Sequence, residues 1–170
     1  MQDAVEPVFC IVNALSMAFW LFKTEPVKFS FDDLENAPNQ TTTWDGIRNY
    51  RARNFLRDDA KLGDQVLFYH SRSEVLGIVG TAEVVKEAYP DHTAWDPKSD
   101  YYDPKASPEN PRWMMVDVKF GKRFPRMVTL EEIRNEPSLA DMLLVKRCQR
   151  LSIQPVEAAH FQKILQMGGL

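Results

Sequence analysis

The chain has 170 residues, of which 44% are hydrophobic and 26% are charged, and its formal net charge at pH 7 is -3. This length fits a single domain that buries a core without disulfide staples, and the composition is that of a globular chain rather than a disordered one. The negative net charge argues against a protein that coats nucleic acid non-specifically, because such binding depends on many phosphate neutralisations. Any affinity for phosphate must therefore be local.

The cysteine content bears on metal binding and cellular location. Cys10 and Cys148 are the only cysteines, and they lie far apart without metal-ligand spacing. The three histidines show no metal-ligand spacing either. We therefore predict no disulfide framework, no metal, no cofactor and a reducing cytoplasm as the location.

The apolar run at residues 7–22 resembles a signal peptide or a membrane span. Asp3 and Glu6, however, stand where a signal peptide carries positive charge, and the run is shorter than the roughly 20 residues of a span. We therefore predict no membrane partner. Residues 1–16 are predicted to be an N-terminal extension outside the fold, and residues 17–170 a single domain.

The first predicted elements are a strand and two helices. Residues 19–23 are aromatic-rich and short, which favours a buried strand. Ser30 can cap a helix through the amide of Asp33, so a helix is predicted to begin there. A second helix is predicted over residues 47–57, with Asp45 as its cap.

The middle of the chain predicts two strands and an ordered loop. In the strand at 65–70, alternate side chains are expected to face opposite sides of a sheet. The strand at 76–89 contains Gly77 and Gly80, which indicates bending or close backbone approach. Residues 90–112 are rich in proline but also carry aromatic side chains, so they are predicted to form an ordered loop packed on the domain.

The last third predicts two strands and three helices. Residues 113–120 alternate as a half-buried antiparallel strand does. Thr129 and Ser138 can each cap a short helix with an acidic residue three positions on. A strand at 150–156 and a helix at 155–167 complete the chain. Bent strands with short helices between them favour an α+β fold, either a small twisted barrel or a strongly curved sheet with peripheral helices.

Residues 44–55 carry the strongest functional signal. Three arginines alternate with aromatic side chains behind Trp44. A guanidinium can grip a phosphate or stack on a base, and an aromatic face can stack on any base. The stretch therefore predicts a nucleic acid as partner. The candidates for contact with its backbone are Arg48, Arg51, Arg53 and Arg57. Two further basic clusters, at 119–126 and 146–150, are equally well explained as solvated faces.

Several aromatic side chains flank predicted turns, where they could stack a planar ring and read its edges. Packing in the core or anchoring of a loop explains each of them equally well. These residues are Trp44, Tyr69, Trp95, Tyr101 and Tyr102.

Evidence for catalysis is weak. The sequence has neither a phosphate-cradling glycine loop nor a nucleophile elbow. Lys23 and Glu25 could perform acid-base chemistry, but a strand-end ion pair or solvated charges explain them as well. His70 ends a strand and could point into a cleft, although a partly buried histidine with satisfied hydrogen bonds is the simpler interpretation.

Taken together, the motifs resemble the EVE domain family. The resemblance runs in order over about residues 18–167 and is specific, and residues 1–16 lie outside it. It is carried by WLFKTEP at 20–26, the stretch 44–55, VLFYHS at 66–71, GIVG at 77–80 and AWDPKS at 94–99. Thr24 stands where the family usually has serine, and its extra methyl group could narrow the choice of base.

The resemblance implies a PUA-like barrel, related in architecture to YTH domains, that binds modified nucleobases. A base flipped out of its strand is held in an aromatic pocket, while a basic surface contacts the backbone. Carried onto the matching positions, the pocket would comprise Lys23, Thr24, Glu25, Pro26, Trp44, Asp45, Arg48, Asn49, Tyr69, His70, Ser71, Trp95 and Asp96.

The leading hypothesis is thus a non-catalytic recognition module for a modified base in DNA or RNA, in which Trp44 and a second aromatic ring sandwich the base. One alternative is an RNA-cleaving or nucleotide-acting enzyme, as in the related ASCH members of the PUA-like group, which would require Lys23, Glu25 and His70 to converge in one cleft. The other is a binder of a small planar metabolite, which would have the aromatic pocket without a basic rim. Placement of the arginines of 48–57 away from the pocket would favour that last hypothesis.

Overall fold

A mixed six-stranded sheet forms the centre of the computed structural model, which describes residues 16–147 and 150–170. Its order is β2-β5-β4-β3-β1-β6, with β1 parallel to β3 and every other pair antiparallel. The strands are β1 (Phe19–Thr24), β2 (Thr41–Trp44), β3 (Gln65–His70), β4 (Gly77–Pro90), β5 (Met114–Thr129) and β6 (Ile153–Val156). Both cysteines and the predicted extension up to residue 15 lie outside the described residues.

The sheet curls until strands that are far apart in its order touch. β2 and β1 are four steps apart, which in a flat sheet would separate them by about 19 Å. The ring of Trp44 in β2 nevertheless lies 5.3 Å from that of Phe22 in β1 and 5.4 Å from that of Phe68 in β3. Both edge strands contribute to one buried cluster, through Trp44 and Ile153. The predicted α+β fold is therefore confirmed, and of its two forms the structure shows the strongly curved sheet with peripheral helices.

Irregularities in β4 and β5 bend the sheet. The register between these strands shifts repeatedly, including on both sides of Gly80. A Cβ atom at Gly80 would lie 2.4 Å from the carbonyl oxygen of Lys122 and equally close to the ring of Phe31. The predicted close backbone approach is confirmed here, and Phe31 fills the space that the missing side chain leaves.

Four short α-helices of the described residues surround the sheet. They are α1 (Phe31–Asn36), α2 (Tyr50–Asn54), α3 (Leu130–Asn135) and α4 (Ala158–Gly168). Capping boxes at Ser30 and Thr129 begin α1 and α3, as predicted. Residues of α3 and α4 cover the outer face of the sheet, where Leu67 and Tyr69 lie, while Val66 and Phe68 face the interior. This alternation along β3 is the predicted one.

The prediction of a helix over residues 47–57 is wrong about where the helix begins. Asn49, not Asp45, caps α2, and its side chain accepts a hydrogen bond from the amide of Ala52. The helix does not begin earlier because the backbone of Asn49 is extended, with φ -118° and ψ 127°. The amide of Gly46, just before these residues, is bound by Asp91, far along the chain. After α2 the chain continues as a π-helical turn, Phe55–Asp59.

The helix predicted to begin at Ser138 is also wrong. Ser138 lies inside a 3-10 turn, Pro137–Leu139, and Glu136 supplies the cap by accepting the amide of Ser138. The helix cap is therefore Glu136, two positions before the residue that the sequence predicts.

The loop at residues 90–112 is ordered, as predicted. It begins with a 3-10 turn, His92–Trp95, and packs around Ala94, Ala106 and Trp113. Within the described ranges no helix combines the length and the apolar character that a membrane crossing requires.

We expect Asp64→Ala to lower the free energy of unfolding by about 3 kcal/mol. Asp64 is 3% exposed, and its carboxylate accepts hydrogen bonds from the indole of Trp20 and from the amides of Ala18 and Lys61. Alanine leaves these three donors without a partner. Urea denaturation measures the loss.

The matched control is Asp59→Ala, at an exposed position with no side-chain hydrogen bond to the described residues. It should change stability by no more than about 0.5 kcal/mol. Equal losses in the two variants would contradict the role given to Asp64.

Candidate functional site

A cavity of about 710 Å³ opens between the end of β1, the end of β2 and the loop that follows β4. Pockets for small ligands commonly range from roughly 300 to 1,000 Å³, so a nucleobase fits. Six of the residues that the sequence places in a pocket line it: Lys23, Thr24, Glu25, Trp44, Asp45 and Ser71. The hydroxyl of Thr24 donates to the carbonyl oxygen of Phe29 at 3.0 Å and is therefore engaged within the protein.

Trp44 forms a wall of the cavity but is mainly a core residue. It is 7% exposed, and its ring packs against those of Phe22 and Phe68. A base can therefore contact only a small part of the Trp44 ring. If a base is sandwiched between two rings as predicted, another aromatic side chain must supply most of the accessible stacking surface.

Tyr101 offers a more accessible ring, since it is half-buried and lines the cavity. Its ring lies against Gly46, where a Cβ atom would stand 2.8 Å from the ring carbons. Gly46 also has a φ of +75°, which favours glycine. The Nζ atom of Lys28 and the guanidinium carbon of Arg48 lie 5.6 Å and 5.7 Å from the ring centroid. The wall of the cavity at Tyr101 is therefore both aromatic and cationic.

Asp45 gives the cavity a half-buried carboxyl group beside these rings. Burial raises its pKa, and the negative charge of Asp91 adds to the effect. The hydroxyl of Thr43 donates to Asp45 at 3.2 Å. A carboxyl group with a raised pKa takes up a proton more readily, so Asp45 could either accept a hydrogen bond from a base edge or donate one.

Arg48 lies beside the cavity, and the protein uses its donors. Nε donates to the carbonyl oxygen of Tyr101 at 2.7 Å. Nη1 donates to Asp91 at 2.8 Å and to the carbonyl oxygen of Ile47, while Nη2 donates to the hydroxyl of Thr93. The structure thus gives Arg48 a positioning role rather than a free face for a phosphate.

The partner of Arg48 is a fully buried carboxylate that sequence reasoning missed. Burial alone would raise the pKa of Asp91, but hydrogen bonds from Thr93, Arg48 and the Gly46 amide outweigh it and lower the pKa. Asp91 therefore stays ionised and ties residues 45–49 to the loop after β4. In the sequence, only the position of Asp91 directly after β4 could have indicated this role.

The other arginines predicted to contact a backbone lie outside the lining of the cavity. Arg53 donates to the carbonyl oxygen of Arg112 at 3.0 Å and stacks over Tyr50, and Arg57 pairs with Asp58. Arg51 lies over the ring of Phe55. The cations that line the cavity are Lys23, Lys28, Arg72 and Arg150.

The three residues of the enzyme hypothesis do not all line one cavity. Nε2 of His70 accepts a hydrogen bond from the amide of Phe31 at 3.1 Å, and burial lowers the pKa of His70, so its ring is held neutral. Glu25 pairs with Arg72 at 2.9 Å. Burial lowers the pKa of Lys23. Lys23 and Glu25 line the cavity, whereas His70 does not.

The remaining predicted pocket residues serve local structure. Asn49 caps α2, and Trp95 packs against the apolar centre of the loop. Asp96 accepts the amide of Lys98, and Pro26 lies in the turn after β1. Tyr69 lines a second cavity, described below. Across residues 16–147 and 150–170, no three His, Cys, Asp or Glu side chains are grouped to hold a metal ion.

A curled mixed sheet with short peripheral helices and a pocket beside it defines the chain as a PUA-like domain. The EVE domain model matches residues 18–167, and the chain belongs to the EVE domain family.

Two relatives are similar over most of the chain. Thymocyte nuclear protein 1 of Gallus gallus is 46% identical over 172 residues, which cover 91% of this chain and 70% of that protein. The human THYN1 protein, solved in complex with 5-methylcytosine containing DNA, has a TM-score of 0.84 at 43% identity and covers 90% of this chain and 98% of its own.

A more distant structure shows the shared fold alone. The YTH domain of the Zygosaccharomyces rouxii MRB1 protein has a TM-score of 0.50 at 15% identity, over 90% of this chain and 87% of that one.

We expect Arg48→Met to lower the free energy of unfolding by about 3–5 kcal/mol, because it leaves Asp91 buried without its cation. Arg57→Met is the control, since an exposed pair such as Arg57 with Asp58 contributes about 1 kcal/mol or less. Urea denaturation compares the two variants. Similar small losses would mean that Arg48 does not hold the site together.

We expect Asp45→Asn to be at least as stable as the wild type at pH 7, with the difference disappearing below about pH 4. The folded protein raises the pKa of Asp45, so it binds more protons than the unfolded chain above that pH. The stability that this group confers therefore falls as the pH rises from the pKa of Asp45 in the unfolded chain to its higher pKa in the folded protein. Above that higher pKa it stays low.

Denaturation at several pH values tests the sign. Asp33 is the opposite case, because hydrogen bonds from Ser30 lower its pKa. Asp33→Asn should lose stability at pH 7, and the loss should shrink as pH falls. The same pH trend in both variants would contradict the assignment.

Proposed function

We propose that the chain is a non-catalytic recognition module that binds a modified nucleobase of DNA or RNA in the cavity between Trp44 and Tyr101. The observation that carries the proposal is the likeness, across nearly the whole domain, to the human THYN1 protein solved with 5-methylcytosine containing DNA. The aromatic and charged walls of the cavity support it independently.

Stacking on an aromatic wall recovers part of the free energy that insertion of a base costs. Taking a base out of its stack costs a few kcal/mol, and stacking on an aromatic ring returns about 1–3 kcal/mol per base. The ring of Tyr101 provides the stacking surface, and Asp45 and Thr43 provide polar atoms for the edge of the base. Residues around the cavity must supply the rest of the binding free energy.

A methyl group adds a modest preference. Phe29, Ile47 and the exposed part of Trp44 give the cavity an apolar portion. Burying one methyl-sized group contributes about 0.8 kcal/mol, which corresponds to roughly fourfold tighter binding. An assay must therefore resolve a fourfold difference.

The metabolite hypothesis stays open as a second candidate because Arg51, Arg53 and Arg57 do not line the cavity. The lining nonetheless carries four cations against three carboxylates. This small excess of positive charge favours a nucleic acid. Binding of the free modified nucleoside as tightly as the oligonucleotide would support the metabolite instead.

We further propose that the domain spans residues 17–170, that it is not catalytic and that the protein lies in the cytoplasm. The family match over residues 18–167 supports the first. The engagement of His70 by the Phe31 amide supports the second.

We expect Tyr101→Ala to weaken binding of the preferred oligonucleotide about tenfold or more, because the stacking surface is lost. Fluorescence anisotropy would compare oligonucleotides, single- and double-stranded, that carry 5-methylcytosine, cytosine, N6-methyladenine or adenine at one position. The wild type should prefer a modified base.

The matched control is Tyr102→Ala, since Tyr102 is 45% exposed and does not line the cavity. It should bind within about twofold of the wild type, as expected for a surface side chain outside the site. Tyr101→Phe keeps the ring and should restore binding. Equal, weak and salt-sensitive binding of all oligonucleotides by the wild type would overturn the proposed function.

A further inference from the structure

A second cavity, of about 490 Å³, adjoins the first and shares two of its lining residues, Lys23 and Arg150. It lies between the ends of β1 and β3, α3 and the 3-10 turn Leu143–Val145. We call it the basic groove. The cations that line it are Lys23, Arg134, Lys146, Arg147 and Arg150, and no acidic side chain of the described residues joins them.

The cations of the groove are available to a ligand. No ion pair within the described ranges includes Arg134, Arg147 or Arg150, and all three side chains belong to exposed residues. Lys146 makes one exposed pair, with Asp141 at 3.2 Å. In contrast, Arg48 and Arg57 are engaged with carboxylates.

Lys23 lies in the wall between the two cavities. Its ammonium group stands 5.8 Å from the ring centroid of Tyr69 and takes part in no ion pair with a described residue. Burial lowers its pKa, which means that the protein itself does not compensate the charge. An anion placed at this wall would do so.

The other walls of the groove are apolar. Leu130, Leu144 and Val145 line it together with Tyr69. Such walls offer no carboxylate to compete for the cations, and they lower the effective dielectric constant around a bound anion. Attraction to a phosphate is therefore stronger here than at an open surface with the same number of charges.

We propose that the basic groove binds the phosphates of the strand whose base occupies the first cavity. This inference rests on the proposed function. Since the two cavities share Lys23 and Arg150, the sugar and phosphate of an inserted nucleotide lie at the entrance of the groove, and the next phosphates along the strand meet Arg134 and Arg147. Backbone contact belongs to this groove and not to the arginines of residues 48–57.

The test compares Arg134→Gln/Arg147→Gln with Arg51→Gln/Arg57→Gln. Both double variants remove two positive charges, but only the first pair lines the groove, and neither pair lines the first cavity. Affinity for a single-stranded oligonucleotide with the preferred modified base is measured at several salt concentrations.

The groove variant should reduce the slope of log affinity against log salt by about 1.4, since each lost phosphate contact on a single strand removes roughly 0.7. Its ratio of affinities for modified and unmodified strands should stay that of the wild type. The control should keep the wild-type slope. An unchanged slope in the groove variant, or an equal change in both variants, would overturn the inference.

The outcomes separate this inference from the proposed function. If the wild type shows no preference for a modified base but the groove variant alone loses salt dependence, the proposed function is contradicted and the phosphate groove is supported. If the preference is present and the groove variant binds like the wild type, the proposed function is supported and the phosphate groove is contradicted. Displacement of the oligonucleotide by submillimolar inorganic phosphate would show that the groove binds free phosphate. That result would overturn the proposal that it binds the phosphates of a strand.

Discussion

The ion pair between Arg48 and the buried Asp91 is the contact on which the geometry of the site depends. One carboxylate, with no exposure to solvent, binds the Arg48 guanidinium and the Gly46 amide at the same time. The same guanidinium holds the carbonyl oxygen of Tyr101. A single ion pair therefore joins the segment after β2 to the loop after β4, and the cavity lies between these two segments.

Such a pair is costly to bury, and its full set of hydrogen bonds offsets that cost. The arginines of the described residues therefore divide into two kinds. Some are structural, while others line the basic groove without an ion pair to a described residue. Arg53, stacked over Tyr50, belongs to the first kind, and Arg134 belongs to the second.

Local patterns were sufficient to predict much of the fold. The alternation along residues 65–70 depends only on the period of a strand, and the Ser30 capping box depends on residues three positions apart. Both are contained within a few residues, and both were predicted correctly. The curvature of the sheet was also indicated, because Gly77 and Gly80 interrupt a long strand.

The start of α2 and the roles of the pocket residues depended on distant partners. Asp91 binds the amide of Gly46 from 45 positions away, and the extended backbone of Asn49 places the start of the helix at residue 50. Arg48 was expected at a phosphate because its pattern with aromatic residues is typical of such contacts, but the pattern does not reveal a buried carboxylate elsewhere. Trp95 and Tyr101 both flank turns of one loop, and nothing local shows that only Tyr101 reaches the cavity.

The shared wall at Lys23 and Arg150 has a kinetic consequence. An exposed cluster of cations accelerates encounter with a polyanion, whereas a partly enclosed aromatic cavity slows escape. With the two side by side, a strand could be captured through its backbone before any base is inserted. Discrimination between bases would then be expressed in the lifetime of the complex, while the rate of its formation would be nearly the same for every sequence.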